Sequence, residues 1–184
     1  WSSDVCSSDL ARASGVILSI LSFPSLGVEI YKDEKQHMTL SHKPVGPESR
    51  VFLVDGSSFV FRAYFQSIRQ DAKYNYRSDG LPTGAVRLFC SKILQFVREG
   101  ALGVRPTHLA IIFDKSENSF RKEIYPEYKA NRSEQPEDLV PQFPLMRAAV
   151  RAFGLTPIEQ DVYEADDLIA TYTAQAREIG RAHV

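Results

Sequence analysis

The chain has 184 residues, 43% of them hydrophobic and 24% charged, with a formal net charge of −1. That length allows one domain with a sizeable core, and the charge balance excludes an overall basic signature for nucleic acid. The only cysteines, Cys6 and Cys90, exclude zinc-type spacing and a disulfide framework, so a reducing, cytoplasmic setting is the default.

The opening stretch differs from the rest. WSSDVCSSDL is Ser/Asp-rich and aperiodic, and the apolar run from Gly15 to Phe23 is far too short to span a bilayer. Met38 is the first methionine, and the compact pattern begins soon after it. Residues 1–47 therefore read as a non-native or disordered extension, with Met38 as the true start. Residues 48–180 form the domain, and 181–184 a non-native tail.

Val51 to Val54 is an apolar run that ends in Asp55. It fits a strand buried on both faces of a parallel sheet. Ser57 or Ser58 can cap a following helix over about 59–69, which exposes Arg62. The polar segment 71–82, with Tyr74, Tyr76, Arg77 and Gly80, reads as a mobile loop. A strong helix follows Thr83, with Val86, Phe89, Ile93 and Val97 at helical spacing, and it stops at Gly100 and Gly103.

His108 to Phe113 is the second strand, and it ends in Asp114. Segment 118–131 is helical in part and broken at Pro126. Leu139, Phe143, Met146, Val150 and Phe153 define an amphipathic helix whose first turn is disturbed by Pro141 and Pro144. Leu155 to Glu159 is a short third strand. The last helix runs from about Ala165 to Ile179, with Leu168, Ile169, Tyr172, Ala176 and Ile179 inward. Strands alternating with helices give an α/β class with a parallel sheet flanked by helices.

Charge is distributed unevenly along this pattern. Residues 62–87 carry five Lys/Arg and two Asp, and 115–132 carry five Lys/Arg and three Glu. Residues 133–184 carry four Arg and nine acids. Cations grip phosphates and aromatic faces stack on bases, so Arg121, Lys122, Tyr125, Tyr128, Lys129 and Arg132 suggest a nucleic-acid surface. Glu164, Asp166 and Asp167 crowd the start of the last helix, where acids complement the dipole but also repel one another. Hard divalent cations take carboxylate oxygens. If the strands lie side by side, Asp55, Asp114 and this cluster meet at one edge. Two metals about 3.5–4 Å apart can clamp an in-line phosphoryl displacement there. No Walker-type loop is present, Asp55 lacks a second acid two residues on, and the histidines are scattered, with His108 structural.

The segments VFLVDGSSFVFRAYF, LPTGAVRLF, THLAIIFD, SFRKEIYPEYKANR and VYEADDLIA occur in this order. Together they resemble the 5′-nuclease domain at the amino end of bacterial DNA polymerase I, within the flap-endonuclease family of PIN-like fold. The resemblance covers about residues 48–180. It implies metal-dependent 5′-3′ exonuclease or 5′-flap endonuclease activity on DNA in replication and repair. It also implies two Mg²⁺ (or Mn²⁺) ions in the full domain. Asp55, Asp114, Glu164 and Asp166 match metal ligands, with Asp167 alongside. Lys129 and Arg132 match a basic pair on the scissile phosphate, and Tyr128 a residue stacking on or packing beside the substrate strand. Arg62 and Arg121 match backbone-binding positions, and Lys115 to Arg132 an arch over a 5′ single strand.

Relatives continue into a further strand, a Gly-Asp-x-Asp turn, a helix-hairpin-helix region and a polymerase. The chain stops before these, so it reads as a truncated, monomeric domain, weak or inactive alone, without membrane attachment. The alternatives are a DNA-binding fragment that cannot cut and a PIN-like ribonuclease.

Overall fold

Two uninterrupted apolar runs build the centre of the molecule. In the computed structural model, Val51–Asp55 (β3) pairs in parallel with His108–Ile112 (β4), from Val51 opposite His108 to Asp55 opposite Ile112. β4 pairs in turn with the two-residue strand Pro157–Ile158 (β5), giving the order β3-β4-β5. All five residues of β4 are buried, as its continuous hydrophobicity requires of a central parallel strand.

The structure describes residues 29–32, 38–41 and 44–179. The Ser/Asp-rich opening, the 15–23 run, Cys6, His37, His42, His183 and the 181–184 tail lie outside them. Within the stretch set aside as an extension, Glu29–Lys32 (β1) pairs antiparallel with Met38–Ser41 (β2). Among the described residues no helix is long and apolar enough to cross a membrane.

Side chains alternate across β4, so its two faces carry different neighbours. Leu109, Ile111 and Phe113 join a core with Val60 and Tyr64 of helix α1 (Gly56–Ser67) and with Phe89, Ile93 and Val97 of α2 (Gly84–Glu99). Met146 and Val150 of α4 (Gln142–Ala152) complete it. Ile112 instead meets Ala165, Leu168 and Tyr172 of α5 (Ala165–Ile179). Helices therefore cover both faces, as the α/β class requires. Each large aliphatic or aromatic side chain buried this way contributes about 1.5–3 kcal/mol.

Several boundaries differ from the sequence reading, each for a local reason. α1 starts at Gly56, directly from the strand, because Asp55 itself is the cap and accepts the Ser58 N–H at 2.9 Å. Only glycine fits at position 56: a Cβ there would lie 2.7 Å from the Phe113 ring and 2.9 Å from the Ile112 carbonyl oxygen. The 71–82 segment has a defined path, with a 3-10 turn at Ala72–Tyr74 and a closed turn from Arg77 to Leu81.

Thr83 makes no side-chain cap. Buried Gln142 of α4 serves instead, accepting the Ala85 and Val86 N–H groups at 3.0 and 3.2 Å. α4 starts at Gln142 rather than Leu139. Pro144 falls in its first turn, where a missing N–H costs nothing, and Leu139 still reaches the core from the preceding turn. The 118–131 segment holds only the five-residue helix α3 (Phe120–Ile124), which ends before Pro126.

Candidate active site and nucleic-acid interface

Parallel pairing places Asp55 and Asp114 at the carboxyl ends of neighbouring strands, the crevice where open α/β sheets bind ligands. Asp114 is pinned from three sides. Its N–H donates to Ser57 Oγ at 2.9 Å, its carbonyl accepts from Arg147 at 3.0 Å, and its carboxylate accepts the Ala165 N–H at 2.7 Å. α1, α4 and α5 thus converge on one residue. Asp55 is held more locally, through the N–H and hydroxyl of Ser58.

The Asp114–Ala165 bond draws the start of α5 to this edge and brings Glu164 and Asp166 with it. Asp166 keeps contact with solvent, yet its carboxyl is pushed above the usual carboxylate range. Partial burial is the first cause, followed by the charges of Asp55, Asp114 and Glu164, with Lys129 opposing. Four acids from three parts of the chain therefore share one field.

The segment 115–132 folds over these acids. Lys129 lies 2.8 Å from Glu164 Oε1, and the Tyr128 hydroxyl donates to Glu164 Oε2 at 3.2 Å. Lys129 has left-handed backbone, φ 60°, in a succession of tight turns from Tyr125 to Arg132. Farther back, Lys115 pairs with Asp161 at 2.6 Å. Arg121 grips Asp167 with both terminal guanidinium nitrogens, at 2.6 and 2.7 Å, and reaches Glu164 Oε2 at 3.8 Å. The hydrogen bond to Asp167 is the main reason the Arg121 guanidinium is held above its ordinary value.

The remaining predicted residues are placed apart from this cluster of pairs. Arg132 is exposed, and its guanidinium makes no hydrogen bond or ion pair among the described residues. Arg62 is exposed on α1 and lies over the Phe59 ring at 5.8 Å. His108 is buried at the first position of β4, six residues upstream of Asp114 and so on the order of 20 Å from the edge.

Carboxylate oxygens are the donor type a hard divalent cation takes, and the crowding at Asp166 is the electrostatic condition such a cation relieves. The donor set therefore fits a divalent metal. Among the described residues no three potential ligands stand together as a ready cage. Glu164 is engaged by Lys129 and Tyr128, and Asp167 by Arg121.

Sequence reasoning missed Arg147, which bonds Asp114, pairs with Glu159 at 2.7 Å and lies over the Phe113 ring at 5.1 Å. Its only signal is its spacing four residues after Phe143, on the flank of the apolar stripe. It also took Ser57 only as a helix cap, whereas its hydroxyl holds the Asp114 backbone.

A parallel sheet with acids at its carboxyl edge and a basic, aromatic segment over them defines a resolvase-like α/β domain. Residues 50–184 match the family described as the 5′-3′ exonuclease, N-terminal resolvase-like domain, and the chain belongs to that family. DNA polymerases I are among its relatives. That of Rhizobium leguminosarum is 49% identical over 142 residues, spanning 76% of this chain and 14% of the relative. That of Mycobacterium bovis is 38% identical over 130 residues, spanning 71% and 14%. That of Bacillus caldotenax is 35% identical over 133 residues, spanning 72% and 14%. The matched region is thus a small part of each relative's length.

Proposed function

We propose that this domain hydrolyses DNA phosphodiesters at 5′ ends and 5′ flaps with a divalent metal, Mg²⁺ or Mn²⁺, within a DNA polymerase I. The observation that carries the reading is the shared field of Asp55, Asp114, Glu164 and Asp166 at one sheet edge beneath a basic arch. These four acids would hold the metal. Bound there, it would supply Lewis-acid activation of water and charge neutralisation on the phosphate.

The chain's own residues do the rest. Asp114, fixed from three sides, sets the position of the metal-binding edge. Lys129 and Arg132 grip the phosphate and stabilise its developing charge. Tyr128 offers a ring to the terminal base, and exposed Arg62 takes a backbone phosphate beyond it. Lys129 and Tyr128 contact Glu164 in the resting chain, so the arch is already positioned over the acids when DNA arrives.

The test is cleavage of a 5′-flap DNA by the 184-residue chain over a range of Mg²⁺ concentrations. Slow, metal-dependent cleavage is expected, and Asp166→Asn should lower it at least ~10²-fold while leaving the fold intact. Lys129→Ala and Arg132→Ala should each reduce the salt slope of DNA binding by about one. Cleavage unaffected by Asp166→Asn would remove the acids from catalysis. Wild-type salt slopes in Lys129→Ala and Arg132→Ala would overturn the phosphate roles.

A further inference from the structure

We propose that Arg121 and Asp167 act as a positioning pair that sets Glu164 and seats the arch, Asp167 binding no metal and Arg121 no DNA. This rests on the metal-site reading above. It reassigns two residues whose place in the sequence suggested direct contact roles.

Asp167 is 4% exposed, and both its oxygens are committed. Oδ1 accepts from Arg121, and Oδ2 accepts from Arg121 and, at 3.0 Å, from the Glu164 N–H. Its own N–H returns to the Glu164 carbonyl at 3.1 Å. Asp167 therefore fixes the backbone of Glu164 from both directions. A cation taking Asp167 would have to displace a bidentate guanidinium from a buried carboxylate and leave that guanidinium uncompensated, which is strongly unfavourable.

Arg121 is committed just as fully. Its guanidinium lies 4.7 Å from the Phe120 ring centroid and 5.9 Å from that of Tyr128, whose hydroxyl bonds Glu164. One cation thus joins the Glu164 backbone, through Asp167, to the group that orients the Glu164 side chain. The arch has little else to hold it at this end. α3 buries none of its five residues, and its other ties are the Ser119–Val162 bridge and the Phe120 ring against Tyr163. Lysine cannot replace this fork, because a single ammonium cannot span both oxygens while lying against an aromatic face.

The experiment measures Mg²⁺ affinity by titration calorimetry for the 184-residue chain and for Arg121→Gln, Arg121→Lys, Asp167→Asn and Arg121→Lys/Asp167→Asn. Removing a cation beside carboxylates by itself tightens Mg²⁺ binding. A positioning role does the opposite, so Arg121→Gln and Arg121→Lys should each weaken it about tenfold, the scale seen when residues behind metal ligands are changed. The double variant should be no weaker than Asp167→Asn alone, since both changes break one unit. The salt slope of DNA binding should stay at the wild-type value in Arg121→Gln.

Affinity unchanged or tightened in both Arg121 variants overturns the proposal. So do additive losses in the double variant, which would make Asp167 a ligand in its own right. A salt slope lowered by about one in Arg121→Gln would make Arg121 a DNA contact. Arg121→Lys keeps the charge and carries the test if Arg121→Gln fails to fold. Mg²⁺ affinity unaffected by Asp166→Asn would overturn the metal reading itself and this inference with it. Loss in Asp166→Asn alone, with Arg121→Lys at wild-type affinity, would overturn only the inference.

Discussion

The sheet edge and the arch are built by different forces. Asp55 and Asp114 end strands whose residues pack on both faces, and hydrogen bonds from three helices converge on Asp114. The arch at 115–132 contributes almost nothing to the core and is seated mainly by charge: Lys115 on Asp161, Arg121 on Asp167 and Lys129 on Glu164. Apolar burial is insensitive to salt, while the exposed Lys115–Asp161 pair is screened and exchangeable, and the Arg121–Asp167 pair, on a buried carboxylate, is screened far less. The acids thus sit on a rigid base, and the phosphate-gripping residues ride on a segment that charge can seat or release.

The widest separation between the regions should come from deleting packing. Phe113 is 1% exposed and lies against Gly56 and Phe89. Phe113→Ala should cost about 3–5 kcal/mol in urea unfolding. Tyr125→Ala, in the arch and 54% exposed, should cost under about 0.5 kcal/mol. Equal losses would mean that the arch is part of the core.

A smaller effect should come from salt. Raising it from 0.1 to 1 M shortens the screening length from about 10 to about 3 Å. Proteolytic nicking within 115–132 should then accelerate several-fold, while amide exchange in β4 stays constant. Nicking that ignores salt would show that the exposed Lys115–Asp161 pair does not seat the arch.

The smallest effect concerns Asp166 in metal-free protein. Its carboxyl titrates above its ordinary value in the folded state, so the native state binds that proton more tightly than the unfolded chain. The ionised form therefore opposes folding above the raised value, and stability is recovered as pH falls towards the ordinary value of about 3.9. In EDTA at pH 7, Asp166→Asn should melt slightly above wild type, and the difference should vanish below about pH 4. A lower Tm for Asp166→Asn at pH 7 would show that Asp166 supports the fold rather than straining it.

Much of this was legible in the sequence. The runs at 51–54 and 109–113 announce buried parallel strands because both faces of such a strand are apolar, and each run stops at an acid. The periodicity of Val86, Phe89, Ile93 and Val97 gives α2, although Val86 is only partly buried. The joining of distant acids was inferred from strand ends, and the structure places Asp55, Asp114, Glu164 and Asp166 in one field. Other features depend on partners far apart in the chain. Gln142 caps α2 across 57 residues, Arg147 holds Asp114 across 33, and Arg121 holds Asp167 across 46. Hydrophobic periodicity repeats along the chain and so can be read from it. A polar side chain has a role only once its partner is within about 3 Å, and the fold alone brings that partner there.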